Sequence, residues 1–233
     1  MLIIGHRGSA GTKAENSIAG LREAIRVGAD MVEFDIRITK DKHAVLAHDF
    51  HLYRSYKKID LISRSTLLEL QKRSGGTEMP IVTLKQAVKE CYGKIFMNIE
   101  VKRSHAVGPV LEVLRGVCKE KEDWESIIIS SLNPLILKRF RSKEPDIQLA
   151  LIHHINPLEF IVWQRQLKLS AVGFHRLNIN NFALQVAKEL GLFTYVYTVN
   201  RPEAIKRIEA RDIDAIVTDF PERLIEDLTK KNR

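Results

Sequence analysis

Residues 2–36 read LIIGHRGSAGTKAENSIAGLREAIRVGADMVEFDI, and the order of patterns within them sets the expected fold. Leu2 to Gly5 is a short apolar run of strand character, Ile18 to Val27 places apolar residues three and four apart as a helix does, and Met31 to Ile36 returns to strand character. A helix between two neighbouring strands serves as the long crossover that parallel pairing needs. Gly28 follows the helical run, where a left-handed closing residue is wanted.

The same alternation continues to the far end of the chain. Further strands are expected at Ala44 to Ala47 (as a partner of the second strand), Ile95 to Ile99, Ser126 to Ile129, Ile147 to Ile152, Ala171 to Phe174, Phe193 to Val196 and Ala215 to Val217. Helical spacing recurs in Leu84 to Cys91, Val107 to Lys119, Pro134 to Arg141, Pro157 to Leu167, Asn181 to Leu190 and Pro202 to Ala210. Asn133-Pro134 and Asn156-Pro157 supply a capping side chain and a proline where a first turn accepts one. About eight βα units in 233 residues predict an α/β chain folded as a (β/α)8 TIM barrel, a single domain over 1–233. An open doubly wound sheet is the alternative, since periodicity does not reveal closure. Residues 50–79 depart from the alternation and are expected to form a short insertion after the second unit.

Lys and Arg outnumber Asp and Glu by 37 to 29, so the surface, at +8, should attract anions such as phosphate esters. No block of five like charges and no basic run interleaved with aromatics occurs, so nucleic acid is not an expected partner. Cys91 and Cys118 have no metal-type spacing and no disulfide framework. With no apolar stretch of about 18 residues, no membrane insertion is expected, and the cytoplasm is the expected compartment. The oligomeric state is not legible.

In a parallel barrel the carboxyl ends of the strands converge on one rim, so the residues that close each apolar run are the candidates for chemistry. They are His6-Arg7, Glu33 and Asp35, His48-Asp49, Glu100 with Lys102, Ser130-Ser131, His153-His154, His175, Tyr197 with Asn200, and Asp219. Glu33 and Asp35 stand two apart and share one face of their strand, while Phe34 takes the other. Two adjacent carboxylates, with Glu100 as a third oxygen donor, suit a hard divalent cation such as Mg²⁺ or Ca²⁺; ion pairing with Arg7 and Lys102 is the plainer alternative. His6 and His48 offer imidazoles able to take and give a proton near neutral pH, and Arg7 and Lys102 offer charge to a phosphate. Gly8 and Gly11 fit either a phosphate-approaching loop or a tight βα turn.

At these residues the chain resembles the glycerophosphodiester phosphodiesterase family over nearly its whole length. The marks are His6-Arg7-Gly8, Glu15-Asn16-Ser17, Glu33-Phe34-Asp35, His48-Asp49, Glu100-Val101-Lys102, Tyr197-Thr198-Val199-Asn200 and Thr218-Asp219-Phe220-Pro221, specific in combination and in this order. The resemblance implies a barrel enzyme that uses a divalent cation to hydrolyse a small-molecule glycerophosphodiester to sn-glycerol 3-phosphate and an alcohol. By position it implies Glu33, Asp35 and Glu100 as metal ligands and His6 and His48 as the acid and base, in an order the sequence does not assign. It further implies Arg7 and Lys102 at the phosphate, Glu15 and Asn16 near metal and substrate, and Tyr197 against the glycerol.

The chain departs from the family pattern in three places. Ala14 replaces a common proline, Tyr197 replaces a tryptophan, and Arg54-Ser55 is what remains of an arginine-threonine run in the insertion. The insertion carries six basic and three acidic residues, among them Lys57 and Lys58, and reads either as a lid that gathers anions or as a solvated basic surface. Competing functions are a barrel phosphodiesterase for lysophospholipids or phosphoinositides and a noncatalytic phosphate-binding barrel. The first needs an apolar ramp at the mouth, and none stands out in the sequence.

Overall fold

The computed structural model describes residues 1–52, 61–75, 77, 80–153 and 155–231. Among the described residues nine strands form, β1 Leu2–Gly5, β2 Met31–Ile38, β3 Ala44–Leu46, β4 Phe96–Val101, β5 Ile127–Ser131, β6 Gln148–His153, β7 Ala171–His175, β8 Phe193–Tyr197 and β9 Ala215–Thr218. All but β3 are parallel, in the order β1-β9-β8-β7-β6-β5-β4-β2, and β1 also pairs with β2. That last pairing closes the sheet, so the fold is a (β/α)8 barrel and the open-sheet alternative falls. β3 lies antiparallel on the outer end of β2, with Ile36 opposite Leu46.

Helices α1 Ile18–Arg26, α2 Leu67–Ser74, α3 Leu84–Cys91, α4 Val107–Leu114, α5 Pro134–Lys143, α6 Glu159–Leu167, α7 Asn181–Glu189, α8 Ile205–Glu209 and α9 Pro221–Lys231 complete the described elements. Five of them, α1, α2, α3, α5 and α7, start at side chains that satisfy free backbone N–H groups. The Ser17 hydroxyl accepts from Gly20 N, Asn133 from Leu135 N and Asn180 from Ala183 N. Thr66 with Glu69 and Thr83 with Gln86 each form a reciprocal capping box. Gly28, at φ +80, closes α1 as expected.

The expected strands are found, and most run one or two residues further toward their carboxyl ends. The apolar run ends before the backbone ladder does, and the ladder continues through residues such as Ser131, His153, His175 and Tyr197, the first two of them buried. Helix limits needed more correction. The run from Val107 to Lys119 ends as a helix at Leu114 and passes into turns around Gly116; the first turn of Pro202 to Ala210 is a 3-10 turn, and α6 begins at Glu159, two residues after Pro157. Helix α9 escaped the sequence reading because Phe220-Pro221 was read only as a family mark.

Alternate residues divide the two faces of each strand. Val32, Phe34 and Ile36 are buried beneath the helices, while Met31 joins Ile4, Ala150, Ala171, Tyr195, Ala215 and Val217 inside the barrel. The Tyr195 ring fills the space beside Gly173, where an added Cβ would lie 2.5 Å from a ring carbon. The described part of the insertion is anchored: Leu52, Ile62 and Leu70 pack with Val45 and Ile81 in a small core of their own. The Lys57-Lys58 lid reading, Arg54-Ser55 and His154 lie outside the described residues.

Candidate active site

The loop after β1 is shaped so that its backbone holds the first carboxylate. Arg7 and Gly8 both take left-handed conformations, φ +50 and +90. Arg7 N donates to Glu33 Oε2 at 3.0 Å and Gly8 N to the Glu33 carbonyl at 3.2 Å. A Cβ on Gly8 would lie 2.6 Å from Gly20 C, and one on Gly11 would strike the Phe220 ring. Gly11 N also donates to the Asp219 carbonyl at 2.8 Å, so both glycines serve the tight turn rather than presenting amides to a phosphate.

Strand register brings the acids together, since Asp35 of β2 lies beside Glu100 of β4. One carboxylate oxygen from each of Glu33, Asp35 and Glu100 lies within 4.8 Å of the others, with Glu33 and Asp35 buried. Asp35 Oδ1 meets Lys102 Nζ at 2.7 Å, and its Oδ2 is 3.3 Å from Arg7 Nε, at ion-pair distance without hydrogen-bond alignment. The ion-pair alternative therefore describes part of Asp35's surroundings. Asn16 adds a reciprocal clamp, its Nδ2 donating to Asp35 Oδ2 at 3.0 Å while Asp35 N donates to Asn16 Oδ1 at 3.1 Å.

These contacts separate the acids electrostatically. Burial acts to raise the Asp35 pKa, but Lys102 and Arg7 outweigh it and hold the group well below the ordinary carboxylate range. Glu33 is pushed up to about 7 by burial and by the neighbouring Asp35 charge. Glu100 is also raised, by burial and then by Asp35, although Lys102 Nζ lies 3.3 Å from its Oε1. The cluster is thus short of positive charge at neutral pH. Hard oxygen donors without sulfur fit a divalent cation of the Mg²⁺ or Ca²⁺ kind.

Both candidate imidazoles line a cavity of about 340 Å³ together with Glu33, Glu100, Arg7 and Lys102. Each is oriented through Nδ1, that of His6 lying 2.5 Å from Asp219 Oδ1 and that of His48 2.7 Å from Asp49 Oδ1. Asp219 is in turn fixed by Asn200, whose Nδ2 donates to Asp219 Oδ2 at 2.6 Å and whose Oδ1 accepts from Asp219 N at 2.9 Å. Burial works to lower the His6 pKa, yet the hydrogen bond to Asp219 and the Glu33 charge raise it overall; burial leaves His48 lowered. The His48 carbonyl accepts two bonds from Arg37, at 3.0 and 2.6 Å.

Glu15 and Asn16 sit behind this wall rather than on the cavity. Glu15 holds Arg7 Nη1 at 2.7 Å, as Asn16 holds Asp35. Tyr197 does line the cavity, and its hydroxyl donates to the His153 carbonyl at 2.8 Å, leaving its ring edge-on to His175. Leu132, Ile152 and Val217 add apolar surface to the lining. His153 is buried, packed beside Phe160 and Phe174, and burial pushes its pKa down to about 4.

Residues 6–223 match the model of the Glycerophosphoryl diester phosphodiesterase family. The chain belongs to this family. It is 31% identical over 235 residues to the Glycerophosphodiester phosphodiesterase of Caldanaerobacter subterraneus subsp. tengcongensis, with 96% of each chain covered. The glycerophosphodiester phosphodiesterase of Thermotoga maritima superposes with a TM-score of 0.83 at 26% identity, over 100% of this chain and 98% of that one. A phosphodiesterase of Oleispira antarctica, solved with the product sn-glycerol-3-phosphate, has the same fold, with a TM-score of 0.88 at 22% identity over 98% and 97% of the chains. Within this member of the family, the sequence reading gave no role to Asp219, Asn200 or Arg37. Asp219 and Asn200 were visible as strand-end residues, but the partner that gives Asp219 its place in the site, His6, follows β1, and only barrel closure sets the ends of β9 and β1 side by side. Arg37 carried no comparable signal.

Proposed function

We propose that this chain hydrolyses glycerophosphodiesters to sn-glycerol 3-phosphate and a free alcohol, with Mg²⁺ or Ca²⁺ held by Glu33, Asp35 and Glu100 and with His6 and His48 as the acid–base pair. The observation that supports this reading is a cavity lined by two imidazoles, Glu33 and Glu100, with Asp35 clustered beside those two acids and each imidazole turned by a carboxylate at Nδ1. With Nδ1 engaged, Nε2 is the nitrogen left for substrate. One imidazole takes the proton of the attacking oxygen, and the other gives a proton to the departing alcohol oxygen. The attacking oxygen belongs to water or to the adjacent glycerol hydroxyl, the latter passing through a cyclic phosphate that water then opens.

Arg7 and Lys102 border the cavity and provide positive charge for the diester. A bound cation would supply Lewis-acid stabilisation of the charge that develops on phosphate oxygen. Asn16 and Glu15 keep Asp35 and Arg7 in place, so their contribution is positional. No helix among the described residues is long and apolar enough to cross a membrane. The free thiols Cys91 and Cys118 are buried, which suits work in the reducing cytoplasm.

Alcohol release from glycerophosphocholine and glycerophosphoethanolamine tests the reading. His6→Ala and His48→Ala should each lower kcat by at least about 10²-fold. Full turnover by the double variant would refute the acid–base assignment.

A further inference from the structure

A second gathering of positive charge lies where the chain leaves its last two parallel strands. The 3-10 turn Pro202–Ala204, which follows β8, packs against α9, which follows β9 and begins at Pro221. In eight-stranded βα barrels the loops after the last two strands, with the start of a helix, frequently form a phosphate site. Here they enclose a groove of about 680 Å³ whose lining includes Asn200, Arg201, Glu203, Arg207 and Arg223.

The three arginines are exposed, and among the described residues none of them has a carboxylate at ion-pair distance, Glu203 included. Arg223 is held in another way: its Cζ stands 4.3 Å from the centre of the Phe220 ring, which itself lies over Gly11. A guanidinium stacked on a ring keeps its N–H edge for a ligand. Like charges gathered in one groove repel one another, and a bound anion removes that repulsion.

We propose that this groove binds a phosphate dianion, free or as a small monoester, between Arg201, Arg207 and Arg223. Three guanidinium charges against one carboxylate favour a dianion over a singly charged diester, and the planar fork of an arginine matches two phosphate oxygens. The site is distinct from the cavity, with which it shares no lining residue, and it does not depend on the functional reading above. Asn200 ties the two together, since it lines the groove and also holds Asp219, which orients His6. The bound anion thus borders the support of His6 without entering the cavity.

The test follows the side-chain Nε–Hε resonances of the full-length protein, its arginines labelled with nitrogen-15, as inorganic phosphate replaces chloride at constant ionic strength. The titration is run at about pH 8, where phosphate has lost its second proton. Arg201, Arg207 and Arg223, assigned from single lysine substitutions, should shift together along one saturable curve. Arg139 and Arg165, also exposed, should not follow it, and Arg7 reports separately on the cavity. A second titration with sn-glycerol 3-phosphate identifies the source. A lower half-saturation than that of inorganic phosphate makes the monoester the ligand, an equal or higher one makes it phosphate itself, and either upholds the class. In Arg207→Gln, Arg223→Gln the half-saturation read at Arg201 should rise at least about tenfold, as expected for the loss of two charge-assisted contacts. Arg201→Gln, read at Arg223, repeats the comparison if the double variant folds poorly. A shift that does not saturate, one shared by Arg139 and Arg165, or an affinity that survives these substitutions would overturn the proposal.

Discussion

Glu33 and Asp35 stand two residues apart on one strand, yet their surroundings drive them in opposite directions. Asp35 has Lys102, Arg7 and Asn16 around it, whereas Glu33 is buried beside that negative charge and is raised to about 7. A carboxyl whose pKa rises on folding binds its proton more tightly in the folded chain, so its contribution to stability declines as pH climbs from the unfolded value of about 4.3 toward the folded one. His6, also raised, acts in the same direction above about 6.5, and His48, lowered, opposes it. A cation held by Glu33, Asp35 and Glu100 would displace the Glu33 proton and relieve the repulsion. Thermal unfolding of the metal-free protein should therefore show a larger rise in Tm on adding Mg²⁺ or Ca²⁺ at about pH 8 than at about pH 5. Equal gains at both pH values would mean that Glu33 does not take part. At this scale the candidate site was largely legible: the Glu-x-Asp spacing fixes a shared strand face, and seven of the ten site candidates, His6, Arg7, Glu33, His48, Glu100, Lys102 and Tyr197, line one cavity. The supports were not legible, because Asp219 reaches His6 across the closing seam of the barrel.

Strand and helix types could be read from period alone, but their ends could not. Pairing continues past the expected end of most strands, and Glu100 and Tyr197 of the site lie in those extensions. Helix α4 stops where Gly116 enters a turn, a choice that apolar spacing does not encode. Strand β7 shows how tightly elements constrain one another. Gly173 has no side chain because the ring of Tyr195, itself 2% exposed, lies against its backbone from β8. A methyl group there has to displace a fully packed aromatic at the barrel interior, so Gly173→Ala should lower stability by about 1–3 kcal/mol. The shift in denaturant midpoint measures it, and an unchanged midpoint would show that the ring has room to move.

Over the whole molecule, one closed sheet converts residues spread from position 6 to position 219 into a single mouth with charged and apolar lining. Neither exists complete in any one βα unit. The eightfold repeat could be counted in the sequence, whereas the lining of the mouth could not, because it depends on which loops become neighbours on closure. The +8 charge adds a field that favours anionic diesters without choosing among them. Central to the account is that three carboxylates hold the divalent ion on which hydrolysis depends. Phosphorus NMR of glycerophosphocholine incubated with exhaustively chelated protein, before and after Mg²⁺ or Ca²⁺ is restored, addresses that claim most directly. The sn-glycerol 3-phosphate resonance should grow only once the cation returns, and should fail to grow under either condition in Asp35→Ala; its growth at full rate in the chelated protein would contradict the account.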